Sequence, residues 1–183
     1  SVILGELIGH LARDADVTVE HRRELGGTRV LWGALLNGDI DAYAEYTGTI
    51  SQEIFANQGV ETEEQMRAAL EARGIRMAKP LGFNNTYALG MTEAEAERRS
   101  ILTISDIKKH PDLAIGFGNE FMDRGDGWPS LRDRYGLPHQ NVQGMDHDLA
   151  YRGMESGSIE VMDMYSTDAE IAYYGLRTLR DNL

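Results

Sequence analysis

The sequence predicts an α/β fold, with helices layered on mostly parallel strands. Three observations predict it. Segments with helical apolar spacing alternate with short β-like runs from end to end. A helix–Gly–strand–Tyr unit occurs twice. The composition is that of a packed chain: 42% hydrophobic and 26% charged residues, with Gly 20 and Pro 4 in 183 positions. That length suits one ordinary domain or two small lobes.

Val2, Ile3, Leu7, Ile8 and Leu11 recur at helical spacing, with Ser1 placed to cap them. Val17 to His21 alternates like a strand. Gly26-Gly27 turns the chain, Thr28 opens a helix to Leu36, and Asn37-Gly38 ends it. Ile40 to Tyr46 reads as a strand, and Thr47-Gly48-Thr49 as a turn into another helix. Met66, Ala69 and Leu70 share one face of a helix from Glu61 to Arg73. Ile75 to Ala78 and Phe83 to Met91 read as strands around Pro80. Thr92 caps a helix to Arg99, with Glu95 at the capping-box position. Ser105 is placed to cap a short helix to Lys109. Leu113 to Phe117 is a strand, and Pro129 to Tyr135 a helix with Pro near its start. A short strand at Asn141-Val142, a helix from Asp146 to Glu155, and strands at Ile159 to Tyr165 and Leu176 to Leu179 complete the alternation.

Charge and composition exclude several classes of function. Lys+Arg 18 against Asp+Glu 30 gives a net charge of −12. A nucleic-acid binder that tracks phosphates needs the opposite sign, and so does a protein bound to an anionic membrane surface. No apolar run approaches the ~20 residues that span a bilayer. Cysteine is absent, which removes disulfides, thiolate nucleophiles and Cys-based zinc sites.

Catalytic and metal constellations are also missing. His10, His21, His110, His139 and His147 have no metal-ligand spacing. Asp39, Asp41 and Glu45 form an acidic edge, and Asp123, Asp126 and Asp133 surround a Gly-rich loop. Both read as solvated acidic surface, since no Glu closes a calcium loop there. Gly116-Phe117-Gly118 is not a dinucleotide fingerprint, and no Gly-x-Ser-x-Gly elbow occurs. The sequence therefore shows no catalytic constellation, metal site or cofactor fingerprint and does not read as an enzyme.

The repeated unit pairs Leu36-Asn37-Gly38-Asp39-Ile40-Asp41 with Glu155-Ser156-Gly157-Ser158-Ile159-Glu160. Tyr46-Thr47 and Tyr165-Ser166 follow at the same constant offset. Each Tyr falls at the carboxyl end of its expected strand, where ligands bind in open α/β sheets. Two lobes that each aim a tyrosine at a cleft would explain the pattern; so would the commonness of the helix–Gly–strand unit. Tyr 8 exceeds Phe 4 and Trp 2, and Thr86-Tyr87 adds another tyrosine beside a hydroxyl residue. Such rings can pack in a core, or they can cage a cation that has no proton to donate. Composition leaves both open.

The segment Gly38-Asp39-Ile40-Asp41-Ala42-Tyr43-Ala44-Glu45-Tyr46-Thr47-Gly48-Thr49 resembles a signature of the substrate-binding proteins of glycine betaine/choline/osmoprotectant ABC importers. Leu4-Gly5-Glu6-Leu7, Leu25-Gly26-Gly27-Thr28, Gly82-Phe83-Asn84-Asn85-Thr86-Tyr87-Ala88-Leu89, Glu120-Phe121 through Arg124, Asp126-Gly127, Leu131 and Tyr165 through Ile171 agree with it in order. The resemblance implies a two-lobed type II periplasmic-binding fold that closes on its ligand by a hinge. It implies a tyrosine cage around a quaternary ammonium. By position, Tyr46, Tyr87 and Tyr165 would be cage walls, Thr49 a hydroxyl contact, Asn85 a polar contact, and Arg124 the partner of a ligand carboxylate. The implied partner is a membrane permease, and the implied location is extracytoplasmic, in the periplasm or on the outer face of the cytoplasmic membrane. Another betaine (carnitine or a thiol-histidine betaine) or a ligand-sensing role remains the alternative.

Family members carry a strand before the first helix and a further stretch after the Tyr-Ser-Thr-Asp segment. The first lobe is therefore expected to be incomplete in this chain. The expected lobes are residues 1–80, with a return segment at 169–183, and residues 82–164. Hinge crossings are expected near 80–83 and 166–168.

Overall fold

The computed structural model describes residues 2–183, so the expected cap Ser1 lies outside the described residues. The chain divides into two compact units, Ser1–Pro80 and Leu81–Leu183.

The first unit is helical: α1 (Val2–Asp14), α2 (Thr28–Asn37), the short α3 (Thr47–Thr49) running into a π-helical turn (Ile50–Ile54), and α4 (Glu63–Glu71). Its core is Ile50, Phe55, Met66 and Leu70, with Trp32, Val60 and Ile75 packed around them. Trp32 meets Phe55 edge-on at 6.1 Å. Thr62 and Gln65 cap α4 reciprocally, satisfying backbone donors that the first turn leaves orphaned. The expected strands at 17–21, 40–46 and 75–78 form no strand, and the chain bends at 41. An isolated extended segment gains no backbone hydrogen bonds until another edge pairs with it, and no strand of this unit exists among the described residues to do so.

The second unit holds the larger core. Its strands are β1 (Tyr87–Thr92), β2 (Ile115–Gly118), β3 (Val142–Met145), β4 (Met162–Tyr165) and β5 (Leu176–Thr178). Its helices are α5 (Glu93–Arg99), α6 (Ile104–Ile107), α7 (Asn119–Asp123), α8 (Trp128–Tyr135), α9 (His147–Ser156) and α10 (Glu170–Tyr173). β1 lies between β4 and β5 and is antiparallel to both, with Tyr87 opposite Tyr165 and Gly90 opposite both Met162 and Thr178. β2 and β3 are parallel, and a bridge from Ile115 to Val161 joins that pair to the approach of β4. Met91, Ile101, Ile107, Phe117, Val161, Met162 and Met164 are buried around this sheet.

Three expectations change here. The sheet is not mostly parallel. Helix–strand alternation gives element order, but the neighbours of β1 come from far along the chain, and their direction is set by packing. Residues 169–183 do not return to the first unit: β5 pairs with β1, and Thr103 bridges Arg180. Thr103, not Ser105, caps α6, with Asp106 completing the box. At α5 the Thr92 side chain accepts the Glu95 N–H as expected, while the Glu95 carboxylate binds Arg98 and Arg99.

Candidate ligand-binding site

Antiparallel register brings Tyr87, the first residue of β1, directly opposite Tyr165, the last of β4. Both side chains leave the same end of the sheet on the same face. Their ring centroids are 5.0 Å apart at 37°, and their hydroxyls are 3.4 Å apart. Burial pushes both phenols above the ordinary tyrosine range, so the rings remain neutral at any physiological pH.

α7 and the loop after it close in on this pair. Phe121 sits 4.9 Å from Tyr87, tilted by 48°, and packs edge-on to Phe117 at 5.1 Å. Arg124 is only 6% exposed. Its guanidinium carbon stands 5.7 Å from the centre of the Tyr87 ring, within cation–π range. Asp126 holds it in a two-point fork, at 2.8 Å from Nε and 2.7 Å from Nη2. Gly127 makes this loop possible: a Cβ there would lie 2.1 Å from the Phe121 carbonyl oxygen. Asn85 joins from the approach to β1, where its Oδ1 accepts the Ser166 hydroxyl at 3.3 Å. Ser166 and Thr86 exchange further bonds, Ser166 N–H to the Thr86 carbonyl at 2.9 Å and Thr86 N–H to the Ser166 Oγ at 3.1 Å. Thus in the second unit Tyr87 touches both Tyr165 and Arg124, and Asn85 bonds to Ser166, the residue after Tyr165.

His147 places its ring 4.8 Å from that of Tyr165. Its Nε2 lies 3.0 Å from Asp168 Oδ2. His147, Asp168 and Tyr151 were not among the residues picked out as site residues. No spacing marks them, because they converge from α9 and the turn after β4.

Tyr46 and Thr49 belong to the first unit. Tyr46 stands at the N-cap of α3 in extended conformation, its N–H bonded to Glu45 Oε1 at 2.8 Å. Thr49 is buried at the end of α3. The repeated unit is visible in both halves at its glycine. Gly38 after α2 (φ 76°) and Gly157 after α9 (φ 71°) close their helices in the left-handed conformation with matching backbone bonds. After Gly157 the chain enters β4, whereas after Gly38 it stays unpaired.

Among the described residues, no group of three or more His, Cys, Asp or Glu is placed to hold a metal ion. Likewise, no helix among them is long and apolar enough to cross a membrane.

Residues 1–182 match the family described as the substrate-binding domain of ABC-type glycine betaine transport systems. The chain is 31% identical to the ergothioneine transport permease/ergothioneine binding protein of Helicobacter pylori, over 98% of this chain and 34% of that one. It is 32% identical to the carnitine transport binding protein of Listeria monocytogenes, over 100% of this chain and 61% of that one. The chain thus spans between about a third and three-fifths of the length of these relatives. A crystal structure described as a glycine betaine/carnitine/choline ABC transporter superposes with a TM-score of 0.62 at 28% identity, covering 99% of this chain and 69% of that one. The fold is that of the type II periplasmic binding proteins.

Proposed function

We propose that this chain, which belongs to the family of substrate-binding domains of ABC-type glycine betaine transport systems, binds a quaternary-ammonium compound and presents it to the membrane permease of an importer. The observation that carries this reading is the Tyr87–Tyr165 pair at the sheet end, with Phe121 and Arg124 against Tyr87. A trimethylammonium group is charged yet has no proton to donate, so ordinary acceptors gain little from it. Aromatic faces replace its lost hydration by quadrupole attraction, about 0.5–2 kcal/mol per good contact. Neutral, half-buried tyrosines suit that task. Tyr46 and Thr49 are proposed as ligand contacts of the first unit on their place in the Gly38–Thr49 motif. Asn85 is proposed as a polar contact, and Arg124 as the partner of a carboxylate when the ligand carries one.

The role is binding, not catalysis, and the location is extracytoplasmic, where an importer collects its substrate. Glycine betaine, choline, carnitine and ergothioneine all carry the same cationic head, and all four are candidates. Calorimetric titration with each tests the reading. Saturable binding of at least one is expected, near micromolar, or about −8 kcal/mol. Absence of heat with all four would overturn it.

A further inference from the structure

One carboxylate oxygen organises the back of the tyrosine pair. Asp168 Oδ2 accepts the Tyr165 backbone N–H at 2.9 Å, the Tyr151 hydroxyl at 2.6 Å and His147 Nε2–H at 3.0 Å. The first of these bonds fixes the chain at the residue whose ring faces Tyr87. The last seats an imidazole 4.8 Å from that ring. On its other side His147 Nδ1 faces Asp163 Oδ2 at 3.9 Å, and Asp163, 1% exposed, also accepts the Gly118 N–H at 2.6 Å. Resting on the proposed binding function, we propose that Asp168 is a positioning residue for Tyr165, and that His147 makes quaternary-ammonium affinity fall as the pH drops.

The groups facing His147 are Asp163 and Tyr165 from β4, Asp168 from the following turn, and Asp148 and Tyr151 from its own helix α9. Glu120 of α7 acts on Tyr165. Burial pushes the imidazole down, but the hydrogen bond to Asp168 and the charges of Asp163, Asp168 and Asp148 outweigh it, so His147 ionises above the ordinary histidine range. Burial likewise opposes ionisation of Asp168, and the bonds from His147 and Tyr151 overcome it. Above its titration His147 is neutral, and the surrounding carboxylates favour a cation at the Tyr165 ring. Below it, an imidazolium draws on the same ring quadrupole and repels the ligand's charge. The sign is fixed: protonation weakens binding.

The test is the choline dissociation constant between about pH 5.5 and 8.5 for the wild type, His147→Gln and Asp168→Asn. Wild-type affinity should weaken about three- to tenfold toward acid, the size expected of one charge at this range near a protein surface. His147→Gln should be flat. Asp168→Asn should bind more weakly at alkaline pH, and the midpoint of its pH dependence should move down, because the imidazolium loses its counter-charge. A flat wild-type profile, an unchanged slope in His147→Gln, or an unmoved midpoint in Asp168→Asn would overturn the proposal while leaving the binding function standing. If His147→Gln fails to fold, the Asp168→Asn midpoint decides. No choline binding at any pH by a folded wild type, together with none of the other three ligands, would overturn the binding function and the proposal with it.

Discussion

Tyr87 and Tyr165 meet because antiparallel register sets them opposite each other, and their rings, not their hydroxyls, are what a quaternary ammonium would use. Replacing either by Ala should weaken choline binding by roughly five- to thirtyfold, about 1–2 kcal/mol. The Phe variants should stay within about threefold, since the 3.4 Å hydroxyl contact is a weak one. Calorimetry on the four variants checks both statements. Arg124→Ala should cost more with glycine betaine than with choline, because only the former offers a carboxylate; equal losses would point to a packing role through Asp126 and Tyr87. Tyr165 was legible in the sequence from its place at an expected strand end, and Tyr87 from the family motif around it. Asp168 lies within a family motif, yet its bonds to Tyr151 and His147 span 17 and 21 residues and leave no periodic trace. Phe121 was legible only as part of the resemblance.

At the level of elements, the loop between α7 and α8 sets the position of Phe121 and Arg124. The Phe121 carbonyl closes on Gly127 to a distance no side chain tolerates. Gly127→Ala is expected to destabilise the second unit by about 2 kcal/mol or more, because backbone cannot rotate out of the way. Urea unfolding monitored by the fluorescence of Trp128, which lies beside this loop, measures it. Gly90→Ala makes a useful contrast: its nearest obstacle is the end of the Met164 side chain, which can move, and a smaller loss is expected. Some helix starts and stops were readable, since Thr92, Gly38 and Gly157 act within four residues, whereas the caps Thr62 and Thr103 were not. Strand direction was not. β1 acquires its neighbours from β4 and β5, more than seventy residues away in sequence. In the first unit, apolar alternation at 17–21 and 40–46 signalled a half-buried extended segment, and a segment of that kind becomes a strand only when a second edge pairs with it.

Across the whole molecule, net charge and two ionisable networks set the response to pH. Glu95 is held down to about 2 by its bonds to Arg98 and Arg99, and Arg99 extends the network to Asp112 and Glu160. A depressed carboxyl stabilises the fold above its unfolded value near 4.5, and that stability is lost as pH falls toward 2. His147 works in the opposite sense. Its raised value contributes stability that is full below about 6.5 and fades as pH rises through the folded titration. These two groups together favour the second unit most between about pH 4.5 and 6.5, and denaturant melts from about pH 2 to 8.5 check the fall on either side. Solvent screening keeps the Glu95 contribution modest despite its shifted ionisation. The helix–glycine echo was legible because the left-handed helix stop at Gly38 and Gly157 is a local event. The membership of residues 169–183 was not, because it depends on which sheet edge β5 reaches.

The proposed tyrosine cage is tested by following the choline N-methyl signal by NMR during titration into the chain. Ring currents from two facing tyrosines should shift that signal upfield as the site saturates, with nuclear Overhauser contacts from the methyl protons to the Tyr87 and Tyr165 rings. Choline that binds without contact to either ring, or with undiminished affinity in Tyr87→Ala and Tyr165→Ala, would contradict a tyrosine-walled ammonium site.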